Sequence, residues 1–202
     1  NPNNNSGMSE FALVDNTRAF SGSNSVHFKG GSNPAQIVRA LPAGISEVHM
    51  KAMVFMSKKL GNEAGDNHEH IMGLKATTDA NDEVRFGQIK GHLGTNEIPS
   101  DDISPPMSQW FSGPEITANA WHCVEVEMLG GSRAYHELRA WVDGALVHEI
   151  NDIADWNNGG VGGHTHWLDG KFNHVMFGWH SFSSHNADVW MDDIVVSGSA
   201  IG

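Results

Sequence analysis

The sequence predicts an all-β protein, a sandwich of two antiparallel sheets. Three observations carry that expectation. Short runs with apolar residues at every second position recur along the whole chain. Clusters of Gly, Asn, Ser and Pro separate them, with 23 glycines in 202 residues. There is no heptad pattern, no repeat of about 20–50 residues and no Gly-rich phosphate loop.

Taken in order, residues 11–14 form the first expected strand. Residues 17–25 turn into a strand over 26–29, and 36–40 is short and extended. Residues 47–57 make a strong strand, with Val48, Met50, Ala52, Val54 and Met56 on one face. A polar loop over 58–67 leads to strands over 68–76 and 83–93. Residues 94–114 read as a long loop with four prolines, a length at which loops tend to carry function. Next come two alternating strands, 121–129 and 137–142. The dry face of the first is Val124, Val126 and Met128, and of the second Leu138, Ala140 and Val142. Their wet face is Glu125 and Glu127, then Glu137, Arg139 and Trp141, a surface suited to gripping something polar. An Asp-Gly turn leads to a strand over 145–150. A Gly-, Asn- and Trp-rich loop over 152–170 precedes the last strands, 171–181 and 188–197. Roughly ten to twelve short strands of this kind fit two packed sheets.

Length and charge narrow the function. The chain fits one domain over 8–202, with 1–7 a linker or trimmed N-terminus of a longer multi-domain protein. Acidic residues outnumber basic ones 24 to 12, giving a net charge of −12. That excludes a nucleic-acid partner, which needs Lys and Arg patches. No apolar run reaches the ~18 residues of a membrane helix, so no membrane partner is expected. The one cysteine, Cys123, forbids an internal disulfide and reads as a half-buried strand residue.

Several motifs together resemble a known group. They are Trp121-His-Cys-Val-Glu125, Leu138-Arg-Ala-Trp-Val-Asp-Gly144, Phe177-Gly-Trp-His180 and the closing Trp190-Met-Asp-Asp-Ile-Val-Val196. With Phe20-Ser-Gly-Ser-Asn-Ser-Val26, they resemble concanavalin A-like β-jelly rolls that act on polysaccharides. Within that group the chain is most similar to the secreted cellulose-induced protein family, relatives of glucuronan and alginate lyases. The resemblance implies a secreted, extracellular protein of biomass degradation with a polysaccharide partner. It also implies a structural Ca²⁺ tying the first strands to the last. Its ligands would be oxygens of Glu10, Ser21, Asn24 and Asp193.

The residues themselves offer a catalytic constellation. Period two places Gln88, Lys90 and His92 on one strand face, and His68 and His70 share a face on the preceding strand. Gln88-Ile-Lys90 resembles the Gln-Ile-His strand of alginate lyases, with Lys90 in the His position. Arg139, Glu137 and Tyr135 would join this face from the later strand pair. Cleaving a uronate chain by β-elimination needs a base, donors that neutralise the carboxylate, and an acid for the leaving oxygen. His70 and His92 suit the base, Gln88, Lys90 and Arg139 the donors, Tyr135 the acid.

The expected substrate-binding surface is completed by His68, Glu125, Glu127, Glu137, Trp141, Trp156, His164, His166, Trp167 and His180. The histidines offer hydrogen bonds and the Trp rings stack on sugar faces. A non-catalytic carbohydrate-binding module uses the same residues without cleavage. A third class, a His-rich metal-binding protein, is raised by His68-Glu-His70 and His164-Thr-His166, since such pairs put both rings on one side of a strand.

Overall fold

The computed structural model describes residues 7–8, 12–31, 34–65, 67–76, 83–98, 102–130, 137–152, 155, 172–183 and 185–201. Among these residues, fourteen strands form two seven-stranded antiparallel sheets. The first sheet contains β1 (Gly7–Met8), β4 (Ala35–Ala40), β6 (His68–Ala76), β7 (Glu83–Ile89), β8 (His92–Ile98), β9 (Asp102–Ser104) and β13 (Phe172–Ser181), ordered β1-β4-β13-β6-β7-β8-β9. The second contains β2 (Ala12–Asp15), β3 (Ser25–Phe28), β5 (Glu47–Met56), β10 (Trp121–Leu129), β11 (Glu137–Val142), β12 (Ala145–Ile150) and β14 (Val189–Ser197), ordered β12-β11-β10-β5-β14-β3-β2. The crossovers between the sheets make a jelly-roll sandwich, the fold class the sequence predicts.

The core follows from strand alternation. In the second sheet, β10 pairs with β11 from Val124↔Val142 and with β5 from Trp121↔Phe55. Val124, Val126, Met128, Leu138 and Ala140 are therefore turned inward and buried, as their spacing requires. Met72, Leu74, Val84, Phe86, Phe177 and Trp179 of the first sheet meet them. Each such side chain contributes roughly 1.5–3 kcal/mol of burial.

Three local expectations are corrected. Residues 83–93 are not one strand: Lys90 and Gly91 have φ of +50° and +67° and form the two-residue turn between β7 and β8. Residues 94–114 are not one loop, since β8 runs on to Ile98 and β9 follows. The strand expected over 188–197 is not regular either, because a bulge between Asp192 and Val195, with Asp193 at φ +48°, resets the alternation of β14.

A buried histidine links the two sheets at their edge. His148 Nε2 on β12 lies 2.9 Å from Thr95 Oγ1 on β8. Burial holds its pKa down at about 3, and burial with the Arg85 charge holds His180 at about 4. Both rings are neutral in the folded protein, whereas an exposed imidazole takes up its proton near pH 6.5. Below that pH the unfolded chain binds more protons, so stability falls as pH drops from about 6.5 towards 4. We expect His148 alone to cost about 3 kcal/mol by pH 4. Thermal melting across this window tests it: His148→Gln should flatten the curve, and an unchanged slope would contradict the assignment.

Candidate functional site

The site lies on the face of the first sheet that points away from the core. Val84 and Phe86 must face inward, so Glu83, Arg85 and Gly87 face outward on β7. Next to them on β6, a bulge between His70 and Met72 reverses the parity. Met72 packs in the core while His70 turns out, opposite Gly87. Gly87 is required there, because a Cβ would strike the Glu69 carbonyl and the His70 backbone. On the other side of β6, His180 of β13 pairs with His70.

These residues form one cluster around Phe182. Its ring centroid lies 4.0 Å from His180, 5.3 Å from His68 and 5.9 Å from His70, and Arg85 Cζ sits 5.1 Å away. Phe182 is 53% exposed, while His70 is only 1% exposed. Glu83 accepts from both Lys75 Nζ and Arg85 Nε. The Nη donors of Arg85 make no hydrogen bond among the described residues, and neither do the two ring nitrogens of His70. Burial first, then the neighbouring His68 and Arg85, holds His70 well below the ordinary imidazole pKa. It is a neutral imidazole beside a guanidinium with donors to spare.

The expected constellation comes together only in part. His68, His70 and His180 are in the cluster. Gln88 is not, because it shares the inward parity of Val84 and Phe86. Its Nε2 donates to Glu69 at 2.6 Å and its Oε1 accepts from the Gly61 amide. Lys90 is at the turn, with Nζ 5.6 Å from the Trp110 ring. His92 starts the next strand and donates from Nδ1 to the Ser112 carbonyl at 2.6 Å, with Gly113 packed against its ring. Burial lowers its pKa despite that bond.

Arg139 and Glu137 do not join the face, nor do Glu125, Glu127 and Trp141, because β10 and β11 belong to the second sheet. Arg139 instead holds Glu127, Glu137 and Glu149 at 2.8 Å each. Tyr135, Trp156, His164, His166, Trp167 and Glu10 lie outside the described residues. Sequence reasoning missed Arg85, Glu83, Lys75 and Phe182. The apolar pair Val84 and Phe86 was the signal that could have found the first two, since it marks the even positions of β7 as inward. Other Trp residues have structural contacts: Trp179 is buried, and Trp190 Nε1 donates to Asp15 at 2.6 Å, holding that carboxyl down at about 2.

Directly beneath the face is a second, inward-pointing group. Glu69 accepts from Gln88, Ser183 and, at 3.4 Å, Ser181. His185 reaches it at 3.8 Å and Glu63 at 3.3 Å. Burial raises the Glu69 pKa against those donors. The group fixes the β6–β7 register below the outer cluster. Among the described residues, no three His, Cys, Asp or Glu side chains are grouped to hold a metal ion.

A jelly-roll sandwich with a buried, partly charged cluster on one outer sheet face is the class of protein these features define. The sequence profile of the polysaccharide lyase-like family "Cip1-like, core domain" matches residues 2–199, and the chain belongs to that family. Among solved structures it is similar to "Cellulose induced protein, Cip1", at 22% identity and TM-score 0.68, over 98% of this chain and 89% of that one. It is also similar to an endo-β-1,4-glucuronan lyase from the fungus Trichoderma reesei, at 12% identity and TM-score 0.51, over 96% and 93% of the two chains. The alginate lyase Aly36B aligns at 12% identity and TM-score 0.51, over 95% and 91%. At these identities the structural likeness shows the fold alone. A search of curated proteins gives no significant match.

The Glu69 group yields a stability test. Glu69→Ala leaves the Gln88 amide and the Ser183 hydroxyl without their acceptor, a loss of about 2–4 kcal/mol. Glu69→Gln keeps one acceptor oxygen and should lose less. Urea unfolding of both variants measures this, and equal stability of Glu69→Ala and the parent would remove the group from the account.

Proposed function

We propose that this chain is an extracellular protein that cleaves a uronate-containing polysaccharide by β-elimination on the outer face of its first sheet. The observation that carries the reading is the pairing of His70 with Arg85. A neutral imidazole, buried and with both ring nitrogens unpartnered among the described residues, is a base that needs no prior deprotonation. Arg85 has donors for the uronate carboxylate, whose charge grows as the neighbouring carbon loses its proton. The proton passes to His70, its electron pair forms the C4=C5 double bond, and the C4–O bond breaks. The leaving oxygen takes a proton from an acid, the role proposed for Tyr135. Phe182, exposed and flanked by His180, offers a ring on which a sugar can stack.

One observation favours binding without cleavage. The amide of Gln88, a donor the sequence pointed to, is spent on Glu69 inside the fold. The two readings separate by product. A lyase yields an unsaturated end that absorbs in the ultraviolet when glucuronan or alginate is supplied. Arg85→Ala and His70→Ala should each lower that rate by roughly 100-fold or more. Absence of absorbance on every uronate polymer, together with retained binding, would leave the binding module.

The proposal includes the structural Ca²⁺. Ser21 Oγ donates to Asp193 at 2.7 Å, and Asp192 accepts the Phe20 and Ser21 amides at 2.8 and 3.0 Å. Asn24 donates from its amide nitrogen to Ser23 Oγ, leaving its carbonyl oxygen as an acceptor. This all-oxygen set suits a hard cation, with Asp193, Ser21 and Asn24 as ligands and Glu10, outside the described residues, as the fourth in the proposal. Chelation with EGTA should lower Tm by on the order of 5 °C, reversed by added Ca²⁺. A Tm indifferent to both would refute the site.

A further inference from the structure

We propose that a cavity at the edge of the sandwich, between β8 and β12, binds a neutral sugar residue apart from the outer-face cluster. The cavity has a volume of about 310 Å³, at the lower end for small-ligand sites. Its opposite walls come from different sheets. His92 and Ser104 belong to the first sheet, Leu146 and His148 to the second, and the Thr95–His148 contact at 2.9 Å ties the walls together. Such a cavity is formed before a ligand arrives, which lowers the ordering cost of binding.

The lining specifies the ligand's chemistry. Both imidazoles are held neutral by burial. The Ser112 carbonyl can only accept, so His92 carries its proton on Nδ1, and the Gln109 carbonyl also faces the ring. Ser104 and Gln109 add a hydroxyl and an amide. No Lys or Arg is among the described lining residues, and of the two lining carboxylates Glu149 is held by Arg139 and Asp155 accepts the Asn151 and Asp152 amides, so the lining offers a uronate carboxylate no counter-charge. Uncharged hydroxyls, which both donate and accept, match this set. The apolar part of the wall is Pro106, Leu146 and Val147, and Leu146 is 51% exposed on an edge strand. A pyranose has that same combination of a C–H face and a hydroxyl rim.

A separate observation points to the loop over 105–113, which supplies Pro106 and Gln109. It exposes Met107 and Phe111 at 63% and 47%. Phe111 is held at φ +59°, a region that bulky residues avoid, by its N–H bond to the Lys90 carbonyl at 2.7 Å. A strained backbone that exposes an aromatic ring is a feature of binding loops rather than of packing.

The test is an NMR titration of the intact protein, following the ring signals of His92 and His148. Cellotriose should shift them saturably, and a glucuronate trisaccharide should not. Leu146→Lys, at an exposed position, should weaken the effect by roughly tenfold or more, and Gln109→Ala should weaken it less. Arg85→Ala, in the outer-face cluster, should leave the titration unchanged. No saturable shift up to about 50 mM cellotriose would overturn the proposal. So would an equal response to the uronate, or a response lost in Arg85→Ala but kept in Leu146→Lys. None of these outcomes depends on whether the outer face cleaves its substrate.

Discussion

The alternation of β7 under the demand to bury Val84 and Phe86 is the constraint on which the site depends. These residues pack with Met72, Leu74 and Phe177 against the second sheet. Flipping β7 by one residue would place the Arg85 guanidinium in that apolar layer, at a cost of several kcal/mol, and expose two large side chains. Core burial therefore decides which residues of β7 can meet a substrate. Arg85 faces out because Phe86 faces in.

The β6 bulge adds what alternation alone would forbid. Without it, His70 would share the inward face of Met72 and Leu74. With it, Ile71 and Met72 are both buried and His70 turns towards His180 and Phe182. The Glu69 group below anchors this irregularity, since its hydrogen bonds join the end of β6 to β7 through Gln88 and to the segment after β13 through Ser181 and Ser183. A bulge seated on a buried hydrogen-bonded carboxylate is a device for aiming a side chain.

The outer cluster is a poor investment if its role is stability. Lys75 and Arg85 are both nearly inaccessible to solvent and share Glu83, and buried ion pairs of this kind break even at best against apolar packing. The Arg139 network on the second sheet is different. Its ions are partly solvated and arranged as cross-strand neighbours, the ordinary way to organise a charged sheet surface. Two polar faces on opposite sides of one sandwich thus have different characters, one solvated and one enclosed, and the enclosed one holds the neutral imidazole and the spare guanidinium donors.

Much of the fold was legible in the sequence. The inward sets of β5, β10 and β11 follow from period two, because both sheets bury one face and the apolar residues have no other place. The same rule gives the polar character of Glu125, Glu127 and Arg139, and it makes His68 and His70 neighbours. It cannot say which sheet a strand joins. Arg139 and Gln88 read alike as polar strand residues, yet they lie in different sheets, one pointing outward and the other inward. Lys90 and His92 were separated from Gln88 by a turn whose Lys-Gly pair carries a weaker signal than Asn-Gly or Asp-Gly. By itself the sequence determined the sandwich, the dry faces and the stock of His, Arg and aromatic side chains, since those depend on local periodicity and composition. Only the tertiary structure decided that His70, Arg85, His180 and Phe182 meet, because strand order, bulges and register are set by long-range packing that no short window contains.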